Sequence, residues 1–209
     1  MNVAVGAANR YRLNCYGTAA LPEMFVLAKF SRFSPTVVSP EVTWVTPLMV
    51  CTAHGMARGE LVHKELVRVS TWLRSVAGIT YLTLYRAQSM ITAGGSAPQV
   101  ASYTELHIPI VQVVAYHILP PAQEPLDYDP SEPHRKLQPL IINFGPFRAL
   151  GNLRIGETTN LTTHLKTSRE SYMSIYDVEV SNPSVRNLAP IKAPMMLVQP
   201  TLATFAGKA

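Results

Sequence analysis

The stretch Tyr81-Leu82-Thr83-Leu84-Tyr85 alternates tyrosine and threonine with leucine, and the matching stretch Tyr172-Met173-Ser174-Ile175-Tyr176 follows 91 residues later. In a β-strand such an alternation places every second side chain on the same side of the sheet. The two stretches therefore predict two equivalent β-strands. The sequence around them indicates how the rest of the chain is organised.

Further matches surround these two strands in the same order. They are Pro47-Leu48-Met49-Val50 with Pro139-Leu140-Ile141-Ile142, residues 69–74 with 161–166, both displaced by 92, and residues 108–111 with 193–196, displaced by 85. Self-similarity at a nearly fixed displacement is typical of a tandem duplication. We therefore expect two degenerate copies of one unit.

The duplication predicts a mainly β protein with four parts. They are an N-terminal arm (1–40), a first small β-domain (41–118), a Pro-rich linker (119–136) and a second small β-domain (137–209). We expect each domain to be a small β-barrel or β-sheet with one short helix, capped by Ser70 or Thr71 in the first copy and by Thr162 or Thr163 in the second. Domains this small are marginal alone, so we expect the copies to pack as a pseudo-dimer or against other subunits.

The second copy carries the clearest motif order: Gly151-x-Leu153, then Leu161-Thr162-Thr163-His164-Leu165, then the strand from Tyr172 to Val180. This order resembles uncharacterised bacterial β-rich domains of unknown function. Their pattern is a strand, a turn, an Arg-Leu-Ser-Asp-x-Leu-Asn-like segment and a strand close to Phe-Leu-x-Leu-x-Asp-Ala-x-Val. The resemblance implies a β fold and brings no activity with it. The first copy departs from the pattern, because Arg86 stands where the aspartate falls.

Composition excludes several classes of protein. Hydrophobic residues make up 47% and charged residues 15% of the 209-residue chain, which is unlike a disordered protein. The 17 prolines argue against a helical bundle, and two cysteines cannot form a disulfide framework or a four-cysteine zinc site. No apolar stretch is long enough to span a membrane, and the N-terminus lacks a secretory signal pattern, so we expect a cytoplasmic protein.

The charge is concentrated at one end of the chain. Of the net charge of +5, the arm contributes +3, from four basic residues and one acidic residue, whereas each of the parts 41–118 and 119–209 carries +1. A basic arm can contact phosphate or an acidic protein surface. The nearly neutral body is a weak footprint for a phosphate backbone.

A catalytic constellation is not visible in the sequence. The six histidines form no helical metal-binding pair, and neither a phosphate-binding loop nor a nucleophile elbow occurs. The best acidic pair is Asp177 and Glu179, two residues apart and thus expected on one side of a strand. We expect no enzymatic activity, cofactor or metal.

These observations predict a structural or interaction protein that self-assembles or forms part of a larger complex. The candidate partner-interface residues are Phe25, Phe30 and Phe33 in the arm, Arg86, Asp177 and Glu179 on the matching strands, and Gly94 and Gly95 in a loop that the second copy lacks. If the copies obey a pseudo-two-fold, or if subunits stack head to tail, Arg86 could face Asp177. An Asp177→Arg substitution is then expected to weaken assembly.

The alternative is a nucleic-acid-binding small β-barrel. Its contacts would be the strand tyrosines, which can stack on bases, and two basic side chains at matching positions. They are Tyr81, Tyr85, Tyr172, Tyr176, Arg74 and Lys166. The same tyrosines suit cross-strand packing equally well.

Overall fold

The computed structural model describes residues 43–64, 68–75, 80–92, 98–183, 185 and 189–207. We call residues 43–118 the first half and residues 135–207 the second half. The first half contains β1 (Thr43–Cys51), β2 (Gly55–Lys64), α1 (Val69–Ser75), β3 (Tyr81–Ile91), β4 (Gln99–Pro109), a 3-10 turn (Ile110–Gln112) and β5 (Ala115–Ile118). The second half contains β6 (Arg135–Phe144), β7 (Phe147–Gly156), α2 (Leu161–Thr167), β8 (Met173–Ser181), β9 (Ile191–Val198), a 3-10 turn (Pro200–Leu202) and β10 (Thr204–Gly207).

The ten described strands form one antiparallel sheet in the order β10-β6-β7-β8-β9-β5-β1-β2-β3-β4. The mainly β prediction is confirmed, and of the two alternatives that the sequence left open, a barrel or a sheet, the structure has the open sheet. Closing the first half would require β5 to pair with β4. Instead, β5 pairs with β1 on one side and with β9 of the second half on the other.

The described part of each half contains a β-bulge at the same place in its pairing pattern. The register between β2 and β3 shifts near Gly59, and the register between β7 and β8 shifts near Gly151. The extra residues are Arg86 and Asp177, whose φ angles are 48° and 51°. A bulge residue interrupts the alternation of side chains. The side chain of Asp177 therefore does not lie on the face of β8 that a regular two-residue alternation predicts.

Two apolar clusters lie on opposite faces of the central strands. We call the cluster that contains Leu48 and Val50 of β1 the first core. The cluster on the opposite face, which contains Met49 and Cys51 of β1, is the second core. The same alternation occurs on β9, where Leu197 joins the first core and its neighbours join the second. Both cores thus contain residues from both halves, and the central strands are buried on both faces, as their continuous apolar runs would suggest.

Each helix covers one core. Val69 and Leu73 of α1 are buried in the first core, while Leu161 and Leu165 of α2 pack against the second. The helices were expected, but the predicted cap of α2 is wrong: Asn160 is the N-cap, and its side-chain oxygen accepts from Thr163 N–H at 2.8 Å. The described helices have seven residues each, far fewer than a helix needs to cross a bilayer.

The tip of the β6–β7 hairpin touches the tip of the β1–β2 hairpin. Gly145 occupies the turn with a φ of 50°, a conformation that favours glycine. A Cβ atom at this position would lie 2.7 Å from the carbonyl oxygen of Ala53. The hairpin tips of the two halves therefore pack closely only because residue 145 has no side chain.

Candidate assembly interface

The two halves join at β5 and β9, a pairing that we call the internal junction. Ala115 lies opposite Val198, and Tyr116 lies opposite Leu197. The N–H of Gln199 donates to the carbonyl of Val114 at 2.8 Å and extends the pairing by one step. The short strand β5 thus carries strand partners on both of its edges.

Two tyrosines, one from each half, pack against each other at the internal junction. Tyr116 of β5 is almost fully buried, and its ring meets the ring of Tyr172 edge to face at a centroid distance of 5.1 Å. The Tyr172 hydroxyl donates to the carbonyl of Val113 at 3.3 Å. Burial raises the pKa of Tyr172 to about 12, so this hydroxyl stays protonated as a donor. The contact joins the two halves through both its apolar rings and its hydrogen bond.

The segment 119–134, which we call the strap, crosses from the first half to the second and is held by Asp127. The Asp127 carboxylate accepts from Ser174 at 2.5 Å, from the Tyr176 hydroxyl, and from the Arg74 guanidinium at 2.6 Å. Burial opposes ionisation of Asp127, but the hydrogen bonds from these three groups outweigh it and hold its pKa below the usual value. A charged carboxylate therefore connects α1, the strap and β8.

A second set of contacts fixes the strap over the second half. The ring of Tyr128 lies edge to face on Tyr176 at 4.7 Å, and the guanidinium of Arg154 stacks over Tyr128 at 4.6 Å. Arg154 also donates to the carbonyl of Asp129 at 3.1 Å and pairs with Glu132 at 2.7 Å. These residues, which the sequence assigns to a Pro-rich linker, therefore contact the second half along the strap.

A cavity of about 410 Å³ lies between the strap and the sheet. Its walls are mostly apolar and come from β5, β8, β9 and the strap, with Glu124, Asp177 and Lys192 among the charged residues that line it. Glu124 faces the start of α1, where its carboxylate oxygens lie 3.3 and 3.4 Å from the backbone nitrogen of Ser70. The strap thus contacts both halves around one cavity.

The six residues proposed for nucleic-acid contact fall into two sets. Arg74, Tyr172 and Tyr176 converge at the internal junction, where both rings are buried and offer little face to a base. Tyr81 and Tyr85 are exposed on β3, and Lys166 is exposed on α2. The structure therefore separates the residues that the sequence pattern treats as equivalent.

The candidate partner-interface residues lie apart from one another. Arg86 pairs with Glu60 of its own half, Asp177 lines the cavity, and Glu179 lies 4.0 Å from Lys192. An Arg86–Asp177 contact stays a prediction about assembled copies. The remaining candidates, Phe25, Phe30, Phe33, Gly94 and Gly95, lie outside the described residues.

Sequence reasoning missed the residues that hold the halves together. Asp127 falls in an acidic, proline-rich stretch and lies 53 residues from Arg74, so no local pattern connects them. Tyr116 sits in an apolar run without a distinguishing neighbour. The one available signal was the equivalence of Arg74 and Lys166, two cations in otherwise sparsely charged segments.

The outer strand β4 repeats the pairing pattern of β9. Glu105 of β4 lies opposite Tyr85, as Met195 of β9 lies opposite Tyr176. We call residues at equivalent positions of the two pairing patterns counterparts. Counting along the strands from Glu105 and Met195, His107 is the counterpart of Leu197, and Ile108 is the counterpart of Val198. Among the described residues, β4 has β3 as its only strand partner.

The other outer strand, β10, repeats the pairing pattern of β5. Phe205 lies opposite Ile142 of β6, as Tyr116 lies opposite Val50 of β1. Phe205 is therefore the counterpart of Tyr116, and it is only partly buried. Within the described part of the chain, β10 pairs with β6 alone.

The described residues contain no group of three or more His, Cys, Asp or Glu side chains that could hold a metal ion. Comparisons with protein-family models, with curated proteins and with solved structures found no match.

Proposed function

We propose that this chain is a non-enzymatic structural protein, built from two tandem copies of one small β-domain, that self-assembles head to tail through its outer strands. The observation that carries the proposal is the strand order. Numbered within its own half, each half contributes its strands in the order fifth, first, second, third, fourth. The internal junction joins the fourth strand of the second half to the fifth strand of the first.

The same pairing is available between two molecules. Among the strands that the structure describes, those with an unpaired outer edge are β4, the fourth strand of the first half, and β10, the fifth strand of the second. In the register of the internal junction, Thr204 of one molecule lies opposite Ile108 of the next, and Phe205 lies opposite His107. An unpaired strand edge is a template for another chain. Because the two surfaces differ, the contact generates a ring or a filament.

The polar network of the internal junction supports a structural role. Each donor around Asp127 is directed at its carboxylate, and the hydrogen-bonded carboxylate stays charged. Burial and the bond to Asp127 raise the pKa of Tyr176, so this hydroxyl stays protonated and supplies no phenolate to act as a base. The network is therefore suited to hold the strap rather than to exchange protons with a substrate.

The test uses a proline on the free edge of β4. Gln199 N–H donates towards β5, so Leu197 and Met195 direct their amides away from β8, and their counterparts His107 and Glu105 direct theirs away from β3. His107 is one such counterpart, and a proline there removes an edge donor without removing a bond to β3. His107→Ala controls for the lost side chain. Ser102→Pro is the matched control. The strand register skips Thr104, as it skips Pro194 on β9, and the alternation reverses there, so the amide of Ser102 also faces the free edge, beyond the four residues of β10.

We expect light scattering on a sizing column to give a multiple of 23.0 kDa for the wild type, rising with concentration. His107→Pro should shift the mass towards that of the monomer, while His107→Ala and Ser102→Pro assemble. A wild type that stays monomeric at every concentration contradicts the proposal, as does a His107→Pro variant that assembles normally. A monomer that carries nucleic-acid absorbance and loses it with added salt supports the nucleic-acid alternative instead.

A further inference from the structure

The internal junction offers a template for side-chain contacts between successive molecules. Three groups seal it: the ring of Tyr116 on β5, the ring of Tyr172 before β8, and the guanidinium of Arg74 on α1, which reaches Ser174 and Asp127. The rings exclude water from the end of the strand pair. The guanidinium supplies a charge that must be met by a carboxylate, because an unpaired charge at a partly buried site is costly.

Each of these groups has a counterpart in the other half that is exposed or only partly buried. Tyr172 is 4% exposed, whereas its counterpart Tyr81, directly before Leu82, is 54% exposed. Phe205, the counterpart of Tyr116, lies on the outer strand β10. Lys166 is the counterpart of Arg74, because each is the sixth residue of its helix, α2 and α1 respectively. The free edges thus present the same contact set that the internal junction buries.

The carboxylate differs between the two places. At the internal junction, Asp127 of the strap lies against Ser174 and Tyr176, and Met195 is the strand neighbour of Tyr176. At the free edge of β4, the counterpart of Met195 is Glu105, whose side chain is about half exposed and lies 3.5 Å from His107. A carboxylate therefore stands on β4 itself, beside the position where the counterpart of Arg74 would arrive.

Building on the proposed head-to-tail assembly, we propose that Lys166 of one molecule pairs with Glu105 of the next, while Phe205 packs on Tyr81 of the next. The partner is a second copy of this chain. The charges are complementary, since α2 presents a cation where β4 presents an anion. Charge pairs of this kind select register and partner more than they add affinity. They would distinguish the outer junction, with its Glu105, from the internal one, with its Met195.

A charge swap tests the contact. Glu105→Lys and Lys166→Glu each place like charges at the junction and should raise the dissociation constant for assembly about tenfold. The double variant restores the opposite charges and should return it close to the wild-type value. An equimolar mixture of the two single variants should also assemble, with the molecules alternating. Glu157→Lys and Lys192→Glu are matched controls, because they change the same charges away from the outer edges.

The outcomes separate this inference from the proposed function. If the wild type assembles and the single variants assemble equally well, or if neither the double variant nor the mixture restores assembly, the Lys166–Glu105 contact is wrong and head-to-tail pairing stands. If the wild type is monomeric throughout, the proposed function itself is wrong. As a test of the ring contact, Tyr81→Ser should weaken assembly, while Tyr103→Ser, on the other face of the sheet, should not.

Discussion

Replacing Asp127 by alanine tests whether the strap joins the two halves. The substitution removes the acceptor shared by Ser174, Tyr176 and Arg74, at distances as short as 2.5 Å from Ser174 and 2.6 Å from Arg74. A hydrogen bond to a charged group contributes about 1.5–3 kcal/mol, and neighbouring bonds do not add fully. Because the site is partly open to water, we expect a loss of about 3 kcal/mol from the free energy of unfolding.

The assay is urea denaturation followed by circular dichroism, with the slope of the transition checked for constancy. Asp129→Ala is the matched control, because this exposed carboxylate on the same strap bonds only Ser131 in its side-chain contacts. We expect a much smaller effect for it. Equal losses for Asp127→Ala and Asp129→Ala, or no loss for Asp127→Ala, would refute the strap as the link between the halves.

The loss of stability in the Asp127→Ala variant should depend on pH. Asp127 has a folded-state pKa below its usual value, so its contribution is complete above the unfolded pKa of about 4 and is lost as pH falls through the folded pKa. The stability difference between the wild type and Asp127→Ala should therefore be constant near neutral pH and shrink in acid. A difference that grows in acid would contradict this assignment.

Three further predictions concern single positions. Gly145→Ala should cost about 2 kcal/mol of stability in the same assay, because φ is positive and the new methyl group would meet the Ala53 carbonyl; an unchanged midpoint would contradict the close approach. Burial raises the pKa of Cys51 to about 12, so in a Cys15→Ser background we expect no reaction with a thiol reagent until the protein unfolds, and prompt labelling of the folded protein would contradict this. Burial lowers the pKa of His117, so the unfolded state binds its proton first and stability should fall as pH drops below about 6.5; His117→Leu should flatten that slope in urea titrations.

The local structure was predictable because it depends on local patterns. The alternation around Tyr81 and around Tyr172 identified β3 and β8, and the matches between the two parts of the chain located the same elements in each half. The sequence match of residues 108–111 with 193–196 does not agree with the pairing of the strands in the structure. The pairing makes Glu105 and Met195 counterparts, a displacement of 90 rather than 85, since strand pairing overrides a short similarity in sequence.

The joining of the halves was not predictable, because it depends on long-range partners. Nothing in the run around Tyr116 shows that β5 pairs with β9 rather than with β4, and this choice decides between an open sheet and a barrel. Similarly, the alternation predicts that Asp177 continues its strand face, whereas the bulge at this residue shifts the pattern. Bulges and junctions are tertiary choices that neither composition nor periodicity encodes.

The pairing of β5 with β9 also constrains how the chain reaches its native state during synthesis. Tyr116 leaves the ribosome 81 residues before its strand partner Leu197. Translation therefore exposes one side of β5 for several seconds, at about 5–20 residues per second, before the native partner exists. In that interval a neighbouring nascent chain can supply its own β9 to the waiting edge. The first half then folds around the wrong molecule, so domain swapping is the misfolding route that we expect for this chain.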